Sequence, residues 1–129
     1  MLFRSHIMLG ADDIDAAKAF YDAALGALGA RPGMVDPKGR VIYMHGGGLF
    51  IVTKPINGEP ATCANGGTIG FAAASPEHAD AFHAAGLAHG GTAIEDPPGV
   101  RDPGGMNLYL SYLRDPAGNK ICAMHRMAA

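Results

Sequence analysis

Apolar and polar residues alternate at the start of the chain. In FRSHIMLG, Phe3, Ser5, Ile7 and Leu9 share one face and Arg4, His6 and Met8 the other, the two-residue period of a strand. The period then lengthens to that of a helix, with Ile14, Ala17, Tyr21, Leu25 and Leu28 forming one stripe. Asp12 or Asp13 stands where the helix needs a cap, and Gly29 stands where it should close. Two or three short strands are predicted next, at about 30–35, 40–45 and 49–53, with DPKG and GGG as turns between them.

The same pattern then starts again. KPINGEPATCANGG, rich in Gly, Pro and Asn, reads as a connector, and TIGFAAAS opens a new strand. Ser75 and Pro76 occupy cap and first-turn positions of a second helix that runs to about residue 89. Strands follow near 91–94, 108–113 and 120–124, the last two joined by DPAGN. Segment 6–30 matches segment 68–92 without a gap: Ile7 falls on Ile69 (69 − 7 = 62), Ala17 on Ala79, Phe20 on Phe82, Leu25 on Leu87 and Gly29 on Gly91. Matches at one offset, between segments of one predicted type, point to an internal duplication. The predicted order is βαβββ twice. One helix is too little to cover a sheet alone, so the two modules must pair to bury a core.

Composition removes several function classes without selecting one. At 129 residues the chain suits a single domain: module 1 at about 1–54, a connector at about 55–66 and module 2 at about 67–129. No apolar run is long enough to span a bilayer, so no membrane partner is expected, and the opening residues lack the basic and apolar regions of a secretory signal. Two cysteines are too few for a disulfide framework, which favours the cytoplasm. A net charge of −2 with scattered basic residues gives no footprint for nucleic acid.

The order of elements, together with FRSHIMLGADDIDAAKAFYDAALGALGA, SPEHADAFHAAGLAHGG and YLRDPAGNKICAMH, resembles the vicinal oxygen chelate superfamily of glyoxalases, bleomycin-resistance proteins and extradiol dioxygenases. The connector is similar to that of a small bacterial glyoxalase-like branch. The resemblance implies an α+β fold in which two tandem βαβββ modules form an open, curved mixed sheet around a concave pocket. It also implies a homodimer, with the modules paired either within one chain or across two. Metal-binding members hold a divalent ion with one ligand from the first and last strand of each module, and the ion acts as a Lewis acid on the substrate. Carried over residue by residue, His6 matches the first of these positions. Thr68 takes the second copy, and Cys122 stands where the pattern DPxGxxxE carries Glu. The matching strand of module 1 offers only Phe50, Ile51 or Val52. One strong ligand of four is too few for Zn, Ni, Fe or Mn, so no cofactor is expected.

Pocket chemistry therefore falls to other groups. The candidate pocket residues are His6, Tyr43, Phe50, Thr68, Arg101, Tyr109 and Cys122. Tyr109 and Tyr112 have opposite strand parity, so only one of them can face inward. Arg101 lies in EDPPGVRDPGGMN, a run read as a loop too irregular for a strand, where it would clamp a carboxylate or phosphate or simply face water. Cys122 is read as a small buried hydrophobe, with a metal ligand or a nucleophile activated by His6 as alternatives. His45 is read as facing water, with a place at the pocket edge as its alternative. His125 should point away from Cys122's face, and His78, His83 and His89 belong to a wetted helix face. Asp115 is read as fixing the DPAGN turn through its own side chain. The expected function is binding of a small, partly apolar molecule without the usual metal. The alternatives are a metal-dependent lyase, isomerase or dioxygenase of glyoxalase type, and a dimeric regulatory module without catalysis.

Overall fold

The computed structural model describes residues 5–128. Module 1 consists of strand β1 (Ile7–Gly10), helix α1 (Ile14–Gly26) and strands β2 (Met34–Val35), β3 (Val41–His45) and β4 (Gly48–Thr53). Module 2 consists of β5 (Ile69–Ala72), α2 (Pro76–Ala88), β6 (Thr92–Ala93), β7 (Gly99–Arg101), a short 3-10 turn, β8 (Leu108–Arg114) and β9 (Lys120–Arg126). β5 and α2 begin and end 62 residues after β1 and α1 (69 − 7 and 76 − 14), with no residue gained or lost. The Phe3 and Arg4 positions of the expected first strand lie outside the described residues.

Local chemistry explains the boundaries. Asp13 caps α1, its Oδ1 accepting from Ala16 N at 2.9 Å, while Asp12 accepts Ala61 N of the connector at 2.8 Å. Ser75 caps α2 by accepting from His78 N at 3.2 Å. Module 1 forms a four-stranded sheet in the order β1-β4-β3-β2, with β1 parallel to β4. Module 2 forms a sheet in the order β5-β9-β8, with β6 and β7 both on the outer edge of β8. Ala93 pairs with Leu113 and Gly99 with Leu110, so residues 94–98 bulge out of what is one interrupted strand. The run around Arg101 is thus partly a strand, contrary to its reading as irregular loop. Two prolines and a glycine disguise it, because proline is tolerated only on such an edge.

The fold is α+β: the described residues form two mixed sheets of four and five strands and two helices, with no closed barrel among them. Each sheet turns one face to the helices. Ile7 and Leu9 of β1, Val41 and Tyr43 of β3, and Phe50 and Val52 of β4 belong to one core with Phe20, Tyr21 and Leu25 of α1. The same core continues through Phe71, Ala79, Phe82, Leu113 and Ile121 of module 2. The Phe50 and Phe71 rings meet edge to face at 5.2 Å, within the range for favourable aromatic pairs. A second link is polar and buried. Tyr21 Oη donates to Asp115 Oδ2 at 2.6 Å, and Asn119 Nδ2 donates to Asp115 Oδ2 at 2.9 Å and to Gly10 O at 3.0 Å.

At Gly86, α2 packs tightly against Leu113 of β8 and Phe20 of α1. A Cβ there would lie 2.4 Å from Leu113 Cδ1 and 3.0 Å from Phe20 Cε1, whereas nothing lies within 4 Å of one at Gly26. Overpacking costs about 1–3 kcal/mol, more than the roughly 1 kcal/mol by which alanine exceeds glycine in a helix. In urea denaturation, Gly86→Ala is therefore expected to lower the unfolding free energy and Gly26→Ala to raise it by about 0.5–1 kcal/mol. Equal effects of the same sign would contradict this packing.

Candidate functional site

On the helix side, the two modules leave a cleft of about 520 Å³ between the end of α1, the β3–β4 hairpin and β5. Its walls are apolar: Ile7, Leu25, Leu28, Phe50, Ile69 and Phe71. Tyr43 is placed by its hydroxyl, which donates to Asp22 Oδ1 of α1 at 2.8 Å. Asp22 also receives Lys18 Nζ at 2.6 Å and Gly33 N at 2.8 Å. Burial pushes the Tyr43 hydroxyl well above the usual phenol range, and its bond to Asp22 adds to the shift. For Asp22, burial raises the carboxyl, but the donors from Lys18, Gly33 and Tyr43 outweigh it and hold the group low. Gly33 is obligatory here, since a Cβ would lie 2.6 Å from Tyr43 Cζ.

The far wall is a strand edge. Ala73 N donates to Met124 O at 2.8 Å, so by the alternation of a strand Gly70 and Ala72 turn their backbone N–H and C=O groups away from β9. Both residues line the cleft. A larger hollow of about 630 Å³ lies at the start of α1, where Asp12, Asp13 and Asp15 face Lys18, Lys38 and Lys54. Charges of both signs and few apolar walls make it a solvated surface rather than a ligand site.

A different cluster occupies the open face of the second sheet. Cys122 is buried among Leu108, Leu110 and Tyr112. Burial pushes its thiol up to about 11, so at neutral pH it is neither a thiolate nucleophile nor a ready soft ligand. Arg101 Cζ lies 6.0 Å and Lys120 Nζ 5.1 Å from the Tyr112 ring centre. Both cations are already engaged. Lys120 pairs with Glu95, and the Arg101 guanidinium donates to the carbonyls of Asp96 (2.9 Å), Pro97 (3.1 Å) and Gly99 (3.1 Å). Arg101 thus closes its own bulge.

The seven candidate pocket residues fall into separate places. Tyr43 and Phe50 share the helix-side cleft rather than the open sheet face. Arg101 joins Cys122 around Tyr112. Tyr109 turns the other way, its hydroxyl donating to Asp80 Oδ1 of α2 at 2.7 Å, so Tyr112 takes the open face. Tyr109 shares its parity with Ser111 and Leu113, and Ser111 Oγ likewise donates to α2, to Ala79 O at 3.0 Å. His6 and Thr68 are exposed just ahead of β1 and β5, and His6 Nδ1 lies 2.9 Å from Ser5 Oγ. His125 Nδ1 lies 3.0 Å from Ala73 O, on the face away from Cys122. Residues not foreseen are Leu25, Leu28 and Phe71, hidden because a core stripe and a cleft wall look alike in sequence.

The donor set does not fit the divalent ion that the superfamily resemblance implies. Beside His6, β4 offers Leu49, Ile51 and Thr53 on the face of Met8; β5 follows Thr68, and β9 supplies a buried neutral thiol. Among the described residues, no three His, Cys, Asp or Glu side chains converge as a metal site. No helix among them is long and apolar enough to cross a membrane.

Comparison with known proteins agrees with this architecture. The family model described as Glyoxalase/Bleomycin resistance protein/Dioxygenase superfamily matches residues 4–123. A solved glyoxalase/bleomycin resistance protein from Albidiferax ferrireducens T118 is 58% identical, with a TM-score of 0.92 over 95% of this chain and 98% of that one. A lactoylglutathione lyase from Agrobacterium tumefaciens is similar in fold, with 24% identity and a TM-score of 0.65 over 97% of this chain and 95% of that one. A glyoxalase/bleomycin resistance protein/dioxygenase family enzyme from Burkholderia phytofirmans PsJN, 18% identical, has a TM-score of 0.71 over 95% and 98% of the two chains. Among curated proteins, none matches. With the family model spanning nearly the whole chain and its two-module architecture in place, the chain belongs to the glyoxalase/bleomycin resistance protein/dioxygenase superfamily.

Proposed function

We propose that this chain binds a small, partly apolar organic molecule by shape and hydrogen bonding, without the divalent ion used by metal-dependent relatives. The observation that carries the reading is the cleft of about 520 Å³, a size ordinary for small-molecule sites, with apolar walls and few polar groups. The poor donor set at the superfamily's ligand positions supports the metal-free part. Bleomycin-resistance proteins, which hold a ligand without chemistry, are the nearest functional analogy within the superfamily. The free edges of β1 and β5 support a homodimer, because unpaired edges need covering. Two unpaired cysteines support a reducing, cytoplasmic setting.

A thermal-shift screen over metabolites and antibiotics, with and without EDTA, tests this reading. A true ligand at 100 times its dissociation constant is expected to add about 2.7 kcal/mol of apparent stability, unchanged by the chelator. Elemental analysis of protein purified without chelators is the counter-test. Near-stoichiometric divalent metal, lost in His6→Ala, would replace this reading with a Lewis-acid enzyme.

A further inference from the structure

The polar groups of the cleft narrow the class of ligand. Among all its lining residues, only Tyr43 and His45 carry a polar side-chain atom. The Tyr43 hydroxyl proton is already given to Asp22. The His45 ring is exposed and lies beside the end of α1, with its Cε1 3.8 Å from where a Cβ on Gly29 would sit. The hairpin beyond it, Gly46 and Gly47, has positive φ at both residues and no neighbour within 4 Å of a built Cβ, so the mouth is open. No acidic side chain of the described residues lines the cleft, while the β5 edge adds backbone N–H and C=O groups at Gly70 and Ala72. The walls therefore fit a hydrocarbon or aryl body, and the mouth offers donors to one acceptor-rich head.

Building on the reading above, we infer that the ligand class is an amphipathic monoanion: an apolar body carrying a single carboxylate- or sulfonate-type head, with His45 as its anchor. The head accepts from the imidazole N–H, and the body displaces water from Leu25, Leu28, Phe50 and Phe71. A cationic head finds no acidic side chain in the described lining, only the edge carbonyls of β5, and a neutral hydroxyl forgoes the charge-assisted bond.

Fluorescence titration with 8-anilinonaphthalene-1-sulfonate tests this directly, because the chain has no tryptophan to complicate the signal. Octanoate, octanol and octyltrimethylammonium then compete for the dye on the wild type, His45→Ala and His45→Lys. Octanoate is expected to compete best. His45→Ala should weaken octanoate and dye roughly tenfold while leaving octanol unchanged, and His45→Lys should restore most of the loss. His45 is exposed, so unchanged melting temperatures will show that the variants fold. Equal competition by octanol and octanoate, unaffected by His45→Ala, would overturn the anionic class while leaving a small-molecule cleft standing. Tightest binding of the ammonium would do the same. Absence of any dye or competitor binding would overturn both the class and the small-molecule reading beneath it.

Discussion

Asp115→Ala is expected to cost about 3–5 kcal/mol, a large share of the stability of a domain this size. In the folded chain one Asp115 oxygen accepts Ala117 N and Asn119 N, each at 2.9 Å. The other accepts Tyr21 Oη at 2.6 Å and Asn119 Nδ2 at 2.9 Å. Alanine removes all four acceptor contacts and strands a fully buried phenol, and unsatisfied buried donors carry their whole desolvation cost. It also releases Asn119, whose amide holds Gly10 O of the other module. Tyr21→Phe removes only one of these bonds and should cost about 1–2 kcal/mol. Urea denaturation of both variants and the double mutant measures the coupling. A loss for Asp115→Ala no larger than that for Tyr21→Phe would show that the residue only shapes its turn.

Stability is expected to fall in alkali, first from about pH 9, where the unfolded chain ionises the Cys122 thiol that burial holds up to about 11, and steeply above about pH 10. Tyr21 and Tyr43 both hold their protons far more tightly in the folded chain than in solution. Burial is the main cause for each, followed by Asp115 for Tyr21 and Asp22 for Tyr43. The unfolded chain releases both protons as pH passes about 10, while the native state keeps them. Unfolding is then coupled to proton release, so the share that these tyrosines contribute is complete below about pH 10 and declines above it until the folded-state values are reached. Each tyrosine contributes about 1.4 kcal/mol per pH unit in that window, so the pair contributes about 2.7. Denaturation midpoints at pH 9, 10 and 11 measure the slope. Tyr43→Phe should reduce it by about 1.4 kcal/mol per pH unit, and a flat profile to pH 11 in the wild type would show that these hydroxyls ionise freely in the native state.

Much of the architecture was legible in the residues. The duplication is reproduced by β5 and α2, each 62 residues after β1 and α1, because a helix stripe and a capping polar residue are local signals that the second copy repeats. Asp115 also matched its reading, since DPAGN builds its turn from Asp115's own side chain. What that reading lacked was Tyr21, 94 positions away, at the other end of the same carboxylate. The Arg101 segment reads as a loop because Pro and Gly mark both loops and interrupted edge strands. Tyr43 and Phe50, candidate pocket residues from the sequence, face α1 and border the helix-side cleft.

The chain's own pattern of apolar spacing, caps and turn residues determined the elements, their repetition and the superfamily, because each depends on neighbours within a few residues. Only the tertiary structure decided which face of each strand meets a helix, that Tyr112 rather than Tyr109 takes the open face, and that His45 stands at a cleft mouth. Those outcomes depend on the register and packing of segments far apart in the chain, and a side chain's parity names two faces without saying which one a helix will cover.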